Sequence, residues 1–230
     1  MSLHPRAIYI LHTRDYRESS LIINLFSRDE GRVDAVLNGG KSKKWRGVAR
    51  EFSPLLAEWV GRGELKTLTQ LEQASLPHTI SGNALFAGLY VNELLVRLLP
   101  VAEPHPDVFD FYCVCLDTLA LGGDLEPCLR QFEIVLLDEL GYQIHFADQN
   151  GSALHSEQFY QYDTQLGFFP AMKDDAASFQ GSHLLAIAAN EWQDVEVKRA
   201  AKRLMRQALK PLLGSEPLKS RQFFRQGHSE

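Results

Sequence analysis

Leu21-Ile22-Ile23-Asn24-Leu25-Phe26, then Ser27-Arg28-Asp29-Glu30-Gly31, then Arg32-Val33-Asp34-Ala35-Val36-Leu37, is an apolar run, a polar turn and a second run of period two. Alternation at every other residue turns one face of a strand inward, so the stretch predicts two paired strands. Upstream, Ala7-Ile8-Tyr9-Ile10-Leu11 predicts another strand. Downstream, Pro54-Leu55-Leu56-Ala57-Glu58-Trp59-Val60, a Gly61-Arg62-Gly63 turn and Leu65-Lys66-Thr67-Leu68-Thr69-Gln70-Leu71 predict a closing hairpin. In its second arm the leucines are expected on one face, with Lys66 and Gln70 near the other. Five short strands in about 75 residues fit a small closed barrel, the oligonucleotide-binding (OB) fold first, with an SH3-like barrel also satisfying the pattern.

From about residue 82 the period becomes helical. Leu85, Phe86, Leu89, Tyr90, Leu94, Leu95, Leu98 and Leu99 form an apolar stripe that Pro100 ends. Pro104 and Pro106 open a second helix that stops at Gly122-Gly123, and Asp124 is a candidate cap for a third. That third helix, apolar on much of its surface and ended by Gly141, is predicted to be the buried central one. Periodicity fails over 142–180, apart from a possible hairpin at Phe159–Tyr162 and Gly167–Phe169. A helix near 182–190 and a long basic helix at 193–209 follow, with Pro211 expected to break the chain. The fold class is α+β: a barrel over 1–78, then a helical domain over 79–230 with an irregular insertion at about 142–180.

Between the third and fourth strands lies Gly39-Gly40-Lys41-Ser42-Lys43-Lys44-Trp45-Arg46-Gly47. Glycines let a loop bend, lysine and arginine meet phosphates, and tryptophan stacks on bases. On a β scaffold this points to nucleic acid, with a solvated basic loop as the alternative. Arg14 and Arg17, expected in the loop between strands one and two, Arg32, and Arg62 with Lys66 at the last hairpin could join Lys41, Lys43, Lys44, Trp45 and Arg46 around one groove. Lys198, Arg199, Lys202, Arg203 and Arg206 line the long helix, as a second DNA surface or as a solvated face. Charge is distributed accordingly: net +3 over 1–75, −12 over 76–190 and +4 over 191–230. The acidic middle would repel DNA and suits a scaffold or a protein partner.

Catalytic signatures are absent. No Gly-x-Ser-x-Gly elbow or phosphate loop occurs. Cys113, Cys115 and Cys128 lack Cys-x-x-Cys spacing and read as packing thiols. His145, His155 and His183 match no closed metal site, and no cofactor is expected. Asp174-Asp175 would serve a nuclease only with further carboxylates, whose proximity the sequence does not give. No apolar run approaches the ~18 residues of a membrane span, and Met1–Arg6 is not a secretory signal, so a soluble cytoplasmic protein is expected.

Several ordered motifs resemble the RecO family of bacterial DNA repair proteins: Glu18-Ser19-Ser20-Leu21, Gly31-Arg32-Val33, Gly39-Gly40-Lys41-Ser42, Phe52-Ser53-Pro54-Leu55, Gly88-Leu89-Tyr90-Val91-Asn92-Glu93-Leu94-Leu95, Leu129-Arg130-Gln131-Phe132-Glu133, Leu140-Gly141-Tyr142 and Leu218-Lys219-Ser220-Arg221. Each motif is weak alone; the ordered set, covering nearly the whole chain, is specific. That resemblance implies an N-terminal OB domain, a helical domain and a non-enzymatic, nucleoid-associated recombination mediator. Such a mediator binds single- and double-stranded DNA and anneals complementary strands. With RecR it helps load RecA onto DNA coated by single-stranded DNA-binding protein, whose acidic C-terminal tail it recognises. Another OB-type module acting on RNA or in translation is the alternative. Many family members bind zinc through four cysteines after the Leu-Gly-Tyr motif. This chain has no cysteine over 142–180, so a zinc-knuckle-like element held by aromatic packing, without metal, is expected. For the acidic tail, Arg130 beside Leu129 and Phe132 is the candidate, with a local ion pair to Glu126, Glu133 or Asp138 as the alternative.

Overall fold

Alternation in β3 (Gly31–Leu37) is complete: Val33, Ala35 and Leu37 are buried, while Arg32, Asp34 and Val36 are half-exposed. The computed structural model describes residues 4–172, 175 and 177–220. Around β3 stand β1 (Arg6–Tyr16), β2 (Ser20–Ser27), β4 (Leu55–Val60) and β5 (Leu65–Gln73), with a four-residue helix, α1 (Lys43–Arg46), between β3 and β4. The strands close in the order β1-β2-β3-β5-β4, with β4 returning to β1 through Arg6↔Ala57 to Ile8↔Leu55. β3 and β5 pair parallel, from Asp34↔Leu65 to Val36↔Thr67, and every other pair is antiparallel. This crossed-over order is that of the OB barrel, not the SH3-like alternative. Ile8, Ile10, Ile23, Leu25, Val33, Leu55, Trp59, Leu68 and Leu71 fill the interior.

Two strands depart from expectation, both at bulges. β1 runs on to Tyr16, with a register shift between Ile10 and His12, so Arg14 lies within a strand and not in a loop. A second shift at Glu58/Trp59 puts Leu68 and Leu71, three residues apart, both inside. Leu65 is left exposed, so the leucines of β5 do not share one face.

α2 (Gly82–Leu98) and α3 (Pro106–Ala120) cover the outer face of β1 and β2. Tyr9 and Phe26 point away from the barrel interior and meet Phe109 and Tyr112 at ring separations of 5.2–6.0 Å. That contact explains why β2 is buried on both faces. Gly31 marks the seam. Its φ is +67°, and a Cβ there would sit 1.7 Å from the Glu103 carbonyl oxygen, so only glycine fits.

The chain packs as two compact units. One joins the barrel, α2 and α3 to the segment from Pro217; the other runs from Glu126 to Glu216. The second unit holds most of α4 (Leu125–Glu139), then β6 (Phe159–Asp163), β7 (Gly167–Ala171), β8 (Phe179–Gln180), α5 (Gly181–Ala188) and α6 (Val195–Leu213). α4 is not buried all round: Ile134 and Val135 are half-exposed. It ends where Gly141, at φ +79°, lets the Tyr142 N–H donate to the Leu137 carbonyl at 2.8 Å. β6 and β7 form the expected hairpin, with β8 on the far side of β6.

Aromatic packing holds this irregular element. Tyr160, Phe168 and Phe179 are buried, and Phe168 meets Phe146 at 5.9 Å and Tyr162 at 5.1 Å. Asp148 closes a tight turn by accepting the N–H groups of Asn150 and Ser152, each at 2.8 Å. α6, capped by Asp194 onto the Glu196 N–H, continues through Pro211 to Leu213. Proline does not break it there because only one hydrogen bond, to the carbonyl four residues back, is lost in the last turn. Among the described residues no helix is long and apolar enough to cross a membrane.

Candidate nucleic-acid interface

The basic segment between β3 and β4 is tied down rather than free. Gly40 N–H donates to Leu37 O at 3.2 Å, Lys41 N–H to Ser19 O at 3.0 Å, and Ser42 N–H to Gly39 O at 2.9 Å. α1 follows at once, and half-buried Trp45 packs with Val48 and Ala49 against the barrel core. Apolar contact on one side of so short a helix turns Lys43, Lys44 and Arg46 out to solvent. The Lys44 ammonium lies 4.4 Å from the Trp45 ring centroid and covers one face of that ring.

Lys41 joins this segment to the turn between β1 and β2. Its ammonium lies 3.1 Å from the Asp15 carboxylate and donates to the Arg17 carbonyl at 3.2 Å. Arg17, at φ +52°, is exposed, with its guanidinium 4.9 Å from the Tyr16 ring centroid. Arg14, exposed on β1, pairs in register with Ile22 close to the same turn. Arg14, Arg17, Lys41, Lys43, Lys44 and Arg46 thus gather around one end of the barrel. Arg50, which the sequence reading missed, belongs with them: it is exposed and donates to the Arg46 carbonyl at 2.9 Å. Its signal was there, as the fifth cation within Lys41–Arg50.

Other candidates stand elsewhere. Exposed Arg62 and half-buried Lys66 sit at the β4–β5 hairpin, with Lys66 opposite Ala35 and donating to the Gly61 carbonyl at 3.3 Å. That end of β5 lies back along β3 from Lys41. Arg32 is drawn into the seam between barrel and helices: its Nε donates to Leu99 O at 3.1 Å and its Nη1 lies 3.3 Å from Asp34.

On α6, Lys202 pairs with Glu126 at 2.8 Å and Arg199 with Glu196. Arg203 donates to the Ser178 carbonyl and stacks 4.2 Å from the Phe179 ring centroid; burial lowers its pKa. Lys198 is half-buried, and Arg206 is exposed. Arg130 is 5% exposed and pairs locally with the carboxylate of Glu133 at 2.9 Å.

Cys115 and Cys128 are buried, as packing thiols, and burial pushes the Cys113 thiol up. Among the described residues no three His, Cys, Asp or Glu side chains gather as a metal site. Asp174 lies outside the described residues, and Asp175 accepts the Ala177 N–H at 2.8 Å in a local turn. What the barrel end can do is neutralise and orient a polyanion along a backbone, without bond chemistry.

Comparison with known proteins places the whole chain in one family. The family model described as Recombination protein O N terminal matches residues 1–76, and Recombination protein O C terminal matches residues 81–222. A protein named DNA repair protein RecO from Pseudomonas paraeruginosa is 46% identical over 220 residues, covering 95% of this chain and 94% of its own length. Proteins of the same name from Actinobacillus succinogenes and Salmonella paratyphi B are 42% and 43% identical, covering 94% and 95% of this chain and 93% and 92% of their own lengths.

Proposed function

Because this chain belongs to the RecO family of DNA repair proteins, we propose that it is a non-enzymatic recombination mediator acting on DNA at the barrel end built around α1. It binds single- and double-stranded DNA and anneals complementary strands. With RecR it helps load RecA onto DNA coated by single-stranded DNA-binding protein, in the cytoplasm at the nucleoid. One observation carries this: Trp45 anchors α1 on the barrel while Lys43, Lys44 and Arg46 face outward, next to Lys41, which reaches the Asp15 carboxylate and the Arg17 carbonyl of the β1–β2 turn.

Annealing needs the repulsion between two phosphate backbones reduced while the bases stay free to pair. Cations fixed on a rigid end do this without reading sequence. For the acidic tail of single-stranded DNA-binding protein, capture at Arg130 requires Glu133 to yield its partner.

The test is annealing of complementary fluorescent oligonucleotides coated with single-stranded DNA-binding protein. Wild type is compared with Lys43→Ala/Lys44→Ala/Arg46→Ala, which spares the packing roles of Lys41 and Trp45. Wild-type annealing, lost in the folded variant, is expected. Inert wild type overturns the mediator function, and full activity in the variant moves the DNA away from α1.

A further inference from the structure

Leu218-Lys219-Ser220 closes the described chain and has no part in the function proposed so far. Its burial alternates: Leu218 is 2% exposed and Ser220 3%, while Lys219 between them is exposed. The anchor is Glu93 on α2. One carboxylate oxygen accepts the Lys219 N–H at 2.8 Å, and the other accepts the Ser220 N–H at 2.9 Å and the Ser220 hydroxyl at 2.6 Å. Charge-assisted hydrogen bonds of this kind are roughly twice as strong as neutral ones.

The residue before Glu93 grips the barrel. Asn92 donates to the Leu11 carbonyl at 2.9 Å, and its own oxygen accepts the Tyr112 hydroxyl at 2.7 Å. Neighbouring residues of one helix therefore hold β1 and the returning chain together. Leu11 is followed by exposed His12 and, two residues on along the same face of β1, exposed Arg14. Asn92 on Leu11 and Glu93 on Lys219 thus bring the returning chain to this part of β1, and burial followed by the charges of Lys219 and Arg14 lowers the His12 pKa while that of Glu93 raises it.

We propose that Glu93 is a positioning residue that latches Lys219 beside His12 and Arg14, and that these three side chains form a phosphate-binding site on β1 for the backbone of a nucleic-acid strand. This rests on the DNA-binding function proposed above. It extends the surface along β1, from the basic end at Arg17 and Lys41 to the point where the chain returns. Two carboxyls face the site. Glu93 is occupied by its three hydrogen bonds, and burial pushes Glu51, 4.0 Å from the His12 ring, up to about 7.

The experiment is fluorescence anisotropy of a labelled oligothymidylate against the full chain over a salt series. Wild type, Lys219→Ala, Glu93→Gln, their double variant and Lys43→Ala are compared. Each phosphate contact to a single strand contributes about 0.7 to the slope of log affinity against log salt. Lys219→Ala is expected to lower that slope by about 0.7, and Glu93→Gln to match it. The double variant is expected to lose no more than either single one, since one contact is removed in all three.

The sign of the Glu93→Gln effect discriminates. Removing an acid strengthens DNA binding by general charge, whereas loss of the latch weakens it. Unchanged or tighter binding by a folded Glu93→Gln, or an unchanged slope for Lys219→Ala, overturns the latch. If Lys43→Ala still lowers the slope in that case, the DNA-binding function stands without it. A wild type that does not bind removes both. Should Glu93→Gln fail to fold, Lys219→Ala, exposed and free of packing duties, decides alone.

Discussion

Glu51 lies 4.0 Å from the His12 ring with 27% of its side chain exposed, and burial pushes its carboxyl from 4.5 up to about 7. Native protein therefore holds this proton more tightly than the unfolded chain does. The stabilisation is complete below the ordinary value near 4.5 and is lost as pH rises through about 7. Across that window it amounts to about 3 kcal/mol, at 1.36 kcal/mol for each pH unit. Thermal melts of wild type should fall between pH 5 and 8, and Glu51→Gln should flatten the fall and melt higher at pH 8. A variant whose melting tracks wild type at every pH would show that the carboxyl is solvated. Arg130 carries the opposite burden, because it neutralises Glu133, which is 1% exposed. Arg130→Ala removes the guanidinium from that buried carboxylate and should destabilise the protein in urea denaturation by about 1–3 kcal/mol, with less lost when Glu133→Ala is added. A neutral Arg130→Ala would mean that Glu133 is held by other donors.

At the scale of elements, α1 separates anchoring from binding. Trp45→Ala removes the apolar contact that seats the helix and should cost about 2 kcal/mol, with DNA affinity falling alongside; Trp45→Phe should keep both. Replacing Lys43, Lys44 and Arg46 should leave the melting temperature unchanged while DNA affinity drops. Equal losses of stability in the two variants would contradict this division of labour. The irregular element of the second unit rests on Tyr160, Phe168 and Phe179, so a metal chelator should not shift its melting, whereas Phe168→Ala should cost about 3–5 kcal/mol.

These elements also show what the sequence could display. Val33, Ala35 and Leu37 announced β3, and the apolar stripes announced α2 to α4, because burial follows period there. α1 was hidden: four residues are too few for a helical period, and the glycines before it read as a loop. The bulges in β1 and β5 were hidden too, since they break the alternation that strands are read by. Among the candidate cations, charge was legible but commitment was not. Arg32, Lys202 and Arg203 resemble Lys43 in sequence, yet tertiary partners hold them.

For the whole molecule, net charge of −5 means that polyanion binding depends on where charge sits. Cations at the barrel end are exposed in a group, while those of α6 are mostly engaged by Glu126, Glu196 and the Ser178 carbonyl. If one surface serves both kinds of DNA, the same cations meet both, and only counterion density differs. Salt slopes run at about 0.9 per contact for duplex and about 0.7 for single strands, so their ratio should be about 1.3. Arg199→Ala/Arg206→Ala should leave both slopes unchanged, and Lys43→Ala/Lys44→Ala should lower both in that ratio. A larger ratio of duplex to single-strand slope that collapses to about 1.3 in the Arg199/Arg206 variant would assign duplex DNA a second surface on α6. Annealing would then be a transfer between two sites rather than the pairing of strands on one.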